Sequence, residues 1–377
     1  MRVLIAAGGT AGHVNPALAI AKEIEKHCPG AEIHFAGRKQ GMEYGLVTKA
    51  GYPFHHIEVN GIQRKLTLRN VARNVKAMYH LALSAPCAAA ILRKVQPDLV
   101  IGAGGYVSGP VVQTAAKKGI LTAIHEQNAF PGITNKILAK SVDLVFAAMP
   151  DAVERLGPAA KGKTFVVGNP VREAMWNTDR TAARKALGAK DGQIVVVSFG
   201  GSLGAQRLNE AVAELAVWEL KERDFLHIHA TGSIEKKDFA ALAKKLKIDN
   251  DVRFQIREYI EDMPSMLAAA DLVISRAGAL TLAEISAVGR AAVLIPSPNV
   301  AENHQYYNAM QLEKLGAARV LEEKNLGQGA LQKTVDEITH SQASLMEMGA
   351  KARALAQPDS LEKIWTHLEQ LLKTGRP

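Results

Sequence analysis

Four glycine-rich turns carry the clearest chemistry in this chain: Gly8–Gly12, Gly102–Gly109, Gly200–Gly204 and Ala277–Leu280. Each follows a short apolar run and precedes a helical pattern. Glycine lets a backbone come close to a ligand, and the following helix N-terminus offers unpaired N–H groups at the positive end of its dipole. One such turn is as well explained by a backbone needing positive φ. Four of them at strand ends point to phosphate. His13 closes the first turn at the start of a helix, where the dipole disfavours the imidazolium and keeps a neutral base available. Ser202 lies inside the third turn, where its hydroxyl serves equally as a donor to phosphate or as a helix cap. Arg172 offers the planar fork of donors that suits a diphosphate, or else a surface salt bridge.

The same turns disfavour other nucleotide chemistries. Gly8-Gly9-Thr10-Ala11-Gly12-His13 does not match G-x-G-x-x-G, and the second strand ends in Ala36-Gly37-Arg38 with no acid for a ribose. Arg38 suits a 2′-phosphate, which leaves a dehydrogenase as the weaker alternative. No Walker lysine follows a glycine loop. No Asp-x-Asp pair stands at a strand end and no His/Cys cluster has ligand spacing, so neither a cofactor nor an obligate catalytic metal is expected.

The elements that must position these turns alternate along the chain. Val3 to Ala7, Glu32 to Ala36, Leu99 to Gly102 and Leu144 to Ala147 read as buried strands, as do Ile194 to Phe199, Leu226 to Ala230, Leu272 to Ser275 and Ala292 to Ile295. Between them, stretches such as Pro16–Glu25 and Asn209–Glu222 have apolar residues at helical spacing. This alternation predicts an α/β fold of parallel sheets covered by helices. A glycine cluster opens each half, so two doubly wound domains are expected, with their strand C-termini turned to a common cleft. Gly168-Asn169-Pro170 punctuates the pattern. The expected division is 1–168, 169–355 and a terminal helix over 356–377 that packs back on the first domain.

Size and composition agree with two ordinary domains: 377 residues, 47% hydrophobic and 22% charged. Two cysteines argue against a disulfide framework and for a reducing cytoplasm. No apolar run reaches the length of a membrane span, and the N-terminus enters a strand at once, which leaves no room for a signal peptide. The net charge of +9 favours anionic partners.

The motifs resemble those of the MurG glycosyltransferases. The resemblance runs from Gly8–His13 through Gly104-Gly105-Tyr106-Val107-Ser108-Gly109-Pro110, His125-Glu126-Gln127-Asn128, Gly168–Arg172, Gly200–Ala205 and Arg276–Thr281 with Glu284, to Asn303-His304-Gln305 and Asn308-Ala309. Ala11 and Ala277 depart from the family's usual glycine and serine, and both remain small. The resemblance implies the glycosyltransferase B fold. It also implies an inverting transfer of N-acetylglucosamine from UDP-N-acetylglucosamine to lipid I, an undecaprenyl-diphosphate acceptor, giving lipid II with a β-1,4 bond. Diacylglycerol glycosyltransferases share the fold and give the alternative acceptor.

The resemblance assigns roles by position. His13 is the expected base that takes the acceptor proton, with Glu126 orienting it or a hydroxyl. Arg172 and Ser202 would meet the UDP phosphates, Glu284 the ribose hydroxyls, and Ile260 the uracil through its backbone. Ala279, Leu280 and Thr281 supply backbone contacts at a helix N-terminus. Asn128 and Gln305 carry amides that both donate and accept, as sugar hydroxyls need. Thr10, Ala11 and Gly12 approach the donor sugar or the acceptor, and Gly104, Gly105 and Ser108 the acceptor diphosphate.

No acidic residue lies between Glu58 and Asp98, whereas Arg64, Lys65, Arg69, Arg73, Lys76, Arg93 and Lys94 do. Leu68, Val71, Val75, Met78 and Leu81 interleave at helical spacing. With a lipid acceptor, this basic amphipathic stretch over 64–94 reads as a surface for anionic lipid, at the cytoplasmic face of the cell membrane. Aromatic residues make up only 5% and no nucleic-acid motif accompanies the charge, so nucleic acid is not an expected partner.

Overall fold

The structure is a computed structural model describing residues 1–59 and 84–375. Arg64, Lys65, Arg69, Arg73 and Lys76, with the apolar residues Leu68 to Leu81 between and beyond them, lie outside the described residues. The chain forms two compact units, Met1–Pro170 with Gln357–Pro377, and Val171–Ala356.

In the first unit seven strands form one sheet: β1 (Arg2–Ala6), β2 (Glu32–Gly37), β3 (Phe54–His56), β4 (Leu99–Gly102), β5 (Leu121–Glu126), β6 (Leu144–Ala147) and β7 (Thr164–Val166). Their order is β3-β2-β1-β4-β5-β6-β7, with every pairing parallel. The second unit holds β8 (Val195–Phe199), β9 (Leu226–Ala230), β10 (Phe254–Arg257), β11 (Leu272–Ser275), β12 (Ala291–Leu294) and β13 (Arg319–Val320). Here the order is β10-β9-β8-β11-β12-β13, again parallel.

Both orders reverse direction beside their first strand, between β1 and β4 and between β8 and β11. At such a switch point two successive connections leave on opposite faces, which opens a crevice at the strand C-termini. Register makes these ends level: Ala6 pairs with Ala36 and Gly102, and Phe199 with Ala230 and Ser275. All four glycine turns therefore emerge at the two switch points.

The central strands are buried on both faces, so they read as continuous apolar runs. Val3, Leu4 and Ile5 are fully buried in β1, as are Val195, Val196 and Val197 in β8. The edge strands β3, β7, β10 and β13 lack such runs, and none of them was expected from the pattern. The helix Ser360–Thr374 buries Ile364, Trp365, Leu368 and Leu371 in the core of the first unit. Burial of each such side chain is worth about 1.5–3 kcal/mol. The expected boundary after residue 168 lies within the Gly168–Pro170 turn, and Asn169 and Pro170 stay with the first unit.

Candidate functional site

In the first unit, the turn after β1 leads into the helix Ala11–His27, which begins five residues before Pro16. Ala11 and Gly12 occupy its first turn, where backbone N–H groups have no intrahelical acceptor. Thr10 is the N-cap residue and makes no side-chain cap. The Gly8 N–H donates to the Gly104 carbonyl at 3.3 Å. Gly105 lies flat against Gly8, because a Cβ on it would stand 2.2 Å from the Gly8 oxygen. The two loops at this switch point are therefore one packed unit.

His13 folds back over its own turn. Its Nδ1 lies 3.0 Å from the Gly8 carbonyl oxygen and 3.3 Å from Thr10 Oγ1. A carbonyl only accepts, so Nδ1 carries the hydrogen and Nε2 holds a lone pair. Nε2 has no hydrogen-bond partner among the described residues. Burial pushes the imidazole pKa down, against the pull of the Gly8 bond and the Glu43 charge. The ring rests on Gly104, where a Cβ would come 2.4 Å from its Cδ2.

Ser108 and Glu126 both hydrogen-bond within the loops that carry them. Ser108 is fully buried, and its Oγ accepts from Gly104 N–H at 3.1 Å and faces the Ala6 and Gly104 carbonyls at 2.9 Å each. Its hydroxyl ties the loop to β1. Glu126 ends β5 and does not hydrogen-bond His13. Its two oxygens accept from Asn128 N–H (2.9 Å), Asn128 Nδ2 (3.1 Å), Gly132 N–H (3.0 Å) and Asn135 Nδ2 (2.8 Å). Burial raises its pKa and these four donors oppose the rise. Glu126 thus shapes the loop that presents Asn128. His125, one residue earlier, is buried between Gly168 O and Gln127 Nε2 at 3.0 Å each, and burial holds its pKa at about 4.

In the second unit, β8 opens into Gly200–Gly204. A Cβ at Gly204 would stand 2.3 Å from the Thr231 carbonyl, which explains a glycine at this φ of +93°. The Ser202 carbonyl accepts from Ser233 N–H at 3.1 Å. Its hydroxyl does not cap the helix Gln206–Glu222, whose N-cap is Ala205, and it has no partner among the described residues. Beside it β11 leads through Arg276 to the helix Ala279–Val288, capped by Gly278 without a side-chain bond. Leu280 and Thr281 stand in its first turn.

These two turns enclose a cavity of about 440 Å³ whose walls include Gly200, Gly201, Arg276, Thr281, Ser297 and Gln305. That volume suits a small ligand. Gln305 Oε1 accepts from Ser297 N–H at 2.9 Å, and its Nε2 has no partner among the described residues. Arg276 was given no role from the sequence. It is braced by the Ile295 and Pro296 carbonyls and by Glu323.

Glu284 is nearly buried one turn after Leu280 and Thr281, and its Oε1 lies 3.3 Å from Arg172 Nη2. Burial raises its pKa, and the guanidinium opposes that. Ile260 anchors its side chain in the core, while its backbone N–H and carbonyl have no partner among the described residues. The expected residues thus fall into two groups, one in each unit. Glu43 in the first unit belonged to neither expectation. The glycines around it, Gly37 and Gly41, were the available signal.

Comparison with known proteins gives a consistent result. Residues 3–147 match the glycosyltransferase family 28 N-terminal domain, and residues 194–364 match its C-terminal domain. The chain is 40% identical to the UDP-N-acetylglucosamine--N-acetylmuramyl-(pentapeptide) pyrophosphoryl-undecaprenol N-acetylglucosamine transferase of Acetivibrio thermocellus, covering 99% of each. The Listeria monocytogenes protein of the same name is also 40% identical, over 99% of this chain and 100% of its own. Among solved structures, Acinetobacter baumannii MurG superposes with a TM-score of 0.73 at 28% identity, covering 98% of this chain and 99% of that one. An S. aureus MnaA–UDP structure, 12% identical with a TM-score of 0.70, shares the fold.

Proposed function

The chain belongs to glycosyltransferase family 28, among the MurG transferases, and from that membership we propose how its residues move N-acetylglucosamine from UDP-N-acetylglucosamine to lipid I. The observation that carries this reading is the match at 40% identity over 99% of both chains. Such a reaction belongs to peptidoglycan synthesis, and through it to cell shape and division.

The second unit takes the donor. Ile260 reads the uracil through its free backbone groups, and Glu284 accepts from the ribose hydroxyls. Arg172, Ser202 and the N–H groups at Ala279, Leu280 and Thr281 meet the diphosphate. Their positive ends stabilise the charge that grows on UDP as the glycosidic bond breaks. Gln305 and Asn128 fix the sugar. The first unit takes the acceptor, with Gly104 and Gly105 close to its diphosphate and Ser108 holding their loop. Thr10, Ala11 and Gly12 present backbone groups to the acceptor or the donor sugar.

His13 Nε2 takes the proton from the acceptor hydroxyl. That oxygen bonds the anomeric carbon from the face opposite UDP, whose bond electrons leave with the diphosphate. The anomeric centre inverts and the β-1,4 bond forms. The lone pair on Nε2 and the lowered pKa of the ring support this role.

We place the enzyme at the cytoplasmic face of the membrane as a peripheral protein. No described helix is long and apolar enough to cross a bilayer. Ile133 and Ile137 are exposed on one short helix with Lys136 between them and Lys140 beyond. Arg93 and Lys94 are exposed at the end of the helical segment over 84–95. Apolar side chains among cations suit an anionic lipid surface. Incubation with labelled UDP-N-acetylglucosamine and a lipid I analogue, with diacylglycerol as the comparison acceptor, tests the reaction. Label in the diacylglycerol product alone would replace this acceptor.

A further inference from the structure

Glu43 has no part in the roles above, yet it is only 1% exposed. It stands in the first turn of the helix Met42–Lys49, where an acid ordinarily stays in water and offsets the helix dipole. Here the carboxylate turns inward. Oε1 accepts from Arg38 N–H at 3.0 Å and Oε2 from Gly9 N–H at 3.3 Å, so it joins the turns that follow β1 and β2.

Three glycines make room for it. A Cβ at Gly8, Gly37 or Gly41 would stand 2.8, 2.8 or 2.2 Å from an atom of Glu43. None of the three has a positive φ, so backbone conformation does not require glycine there. The carboxylate does at Gly8 and Gly41, and the Glu43 Cγ together with the Phe54 ring does at Gly37.

The bond to Gly9 matters because of the other end of that peptide. The Gly9 N–H and the Gly8 carbonyl belong to one planar amide. The same carbonyl accepts the His13 Nδ1 hydrogen at 3.0 Å. A negative acceptor on the N–H draws electron density toward the oxygen and tightens its hold on the imidazole hydrogen. We propose that Glu43 is a positioning residue for the transfer reaction, holding His13 with Nδ1 protonated and Nε2 available through the Gly8–Gly9 peptide. This carboxylate–peptide–histidine relay rests on the reading of His13 as the base.

Charge gives the relay a second signature. Glu43 raises the His13 pKa. The other titratable neighbour, His125, is neutral near pH 7 because burial holds its pKa at about 4.

The test uses the full chain with UDP-N-acetylglucosamine and a lipid I analogue. Glu43→Gln keeps the side-chain size but removes the charge and one acceptor. Its kcat is expected to fall by about tenfold to hundredfold, with KM for the donor unchanged. The acid limb of its kcat profile moves to lower pH. Glu43→Asp restores part of the rate. Nitrogen-15 spectra of wild-type histidines provide a readout that needs no variant, and His13 is expected to carry its hydrogen on Nδ1 at neutral pH. Wild-type kcat and an unmoved acid limb in Glu43→Gln would overturn the relay, as would a His13 hydrogen on Nε2. Wild-type protein that transfers nothing would instead overturn the proposed reaction.

Discussion

Arg172 and Glu284 form an ion pair at 3.3 Å across 112 positions of sequence, although each is assigned to a different part of the same nucleotide. Glu284 is nearly buried while Arg172 is substantially exposed. In the proposed donor complex, the exposed guanidinium turns to the diphosphate and the buried carboxylate stays in place for the ribose. Burial raises the Glu284 pKa, and the guanidinium opposes that rise.

Glu284→Ala should weaken the donor. A hydrogen bond to a charged group contributes about 1.5–3 kcal/mol, so KM for UDP-N-acetylglucosamine is expected to rise about tenfold to hundredfold. Wild-type donor affinity should also fall as pH drops through the raised Glu284 pKa. Arg172 holds that pKa down, so Arg172→Ala moves the loss to higher pH. Titration calorimetry with UDP across pH checks both the size and the direction.

His13 is expected to act as a neutral base below its ordinary range. Its pKa is lowered by burial, so the active form persists to more acidic pH than a free imidazole would allow. His13→Ala should lower kcat by about 10²–10⁴-fold and abolish the acid limb. A pH–rate profile with both substrates saturating measures this. Near-full turnover by the variant would remove His13 from the chemistry.

Gly105→Ala tests the packing of the two loops. The new Cβ would meet the Gly8 oxygen at 2.2 Å, at a φ of +81°. Gly119 has nearly the same φ, +80°, with nothing near its Cβ position. Gly119→Ala should cost only the left-handed backbone penalty, about 1–2 kcal/mol. Gly105→Ala should cost more in urea unfolding and also lose turnover. Equal losses in the two variants would show that the loops do not need this contact.

Chelation should leave turnover intact. Three buried or half-buried acids are engaged by protein donors: Glu126 by four hydrogen bonds, Glu284 by Arg172 and Glu323 by Arg276. In the proposed reaction, positive helix ends and Arg172 take the leaving charge without a metal. Assays with EDTA, then with added magnesium, decide this. Loss on chelation and recovery with magnesium would contradict it.

Much of this protein was legible in the chain alone. Parallel sheets bury both faces of their central strands, so β1, β4, β8 and β11 announce themselves as apolar runs, and glycines mark where backbones approach ligands. These are local signals. The edge strands β7 and β13 were hidden because a strand paired on one side needs no continuous apolar run. So was β5, which carries Thr122, His125 and Glu126 into the interior, where Asp143, Gly168 and Asn135 satisfy them.

What each polar side chain does was a matter for tertiary structure. Ser108 and Glu126 sit in motifs that suggest contact with substrate, yet their oxygens are used to build loops. Glu43 looks like an ordinary first-turn acid, and only the approach of Gly8, Gly37 and Gly41 turns it inward. A buried polar atom takes whichever partner the fold brings within about 3 Å. Those partners come from distant positions, so residue type and spacing can nominate a side chain while the packed backbone decides its task.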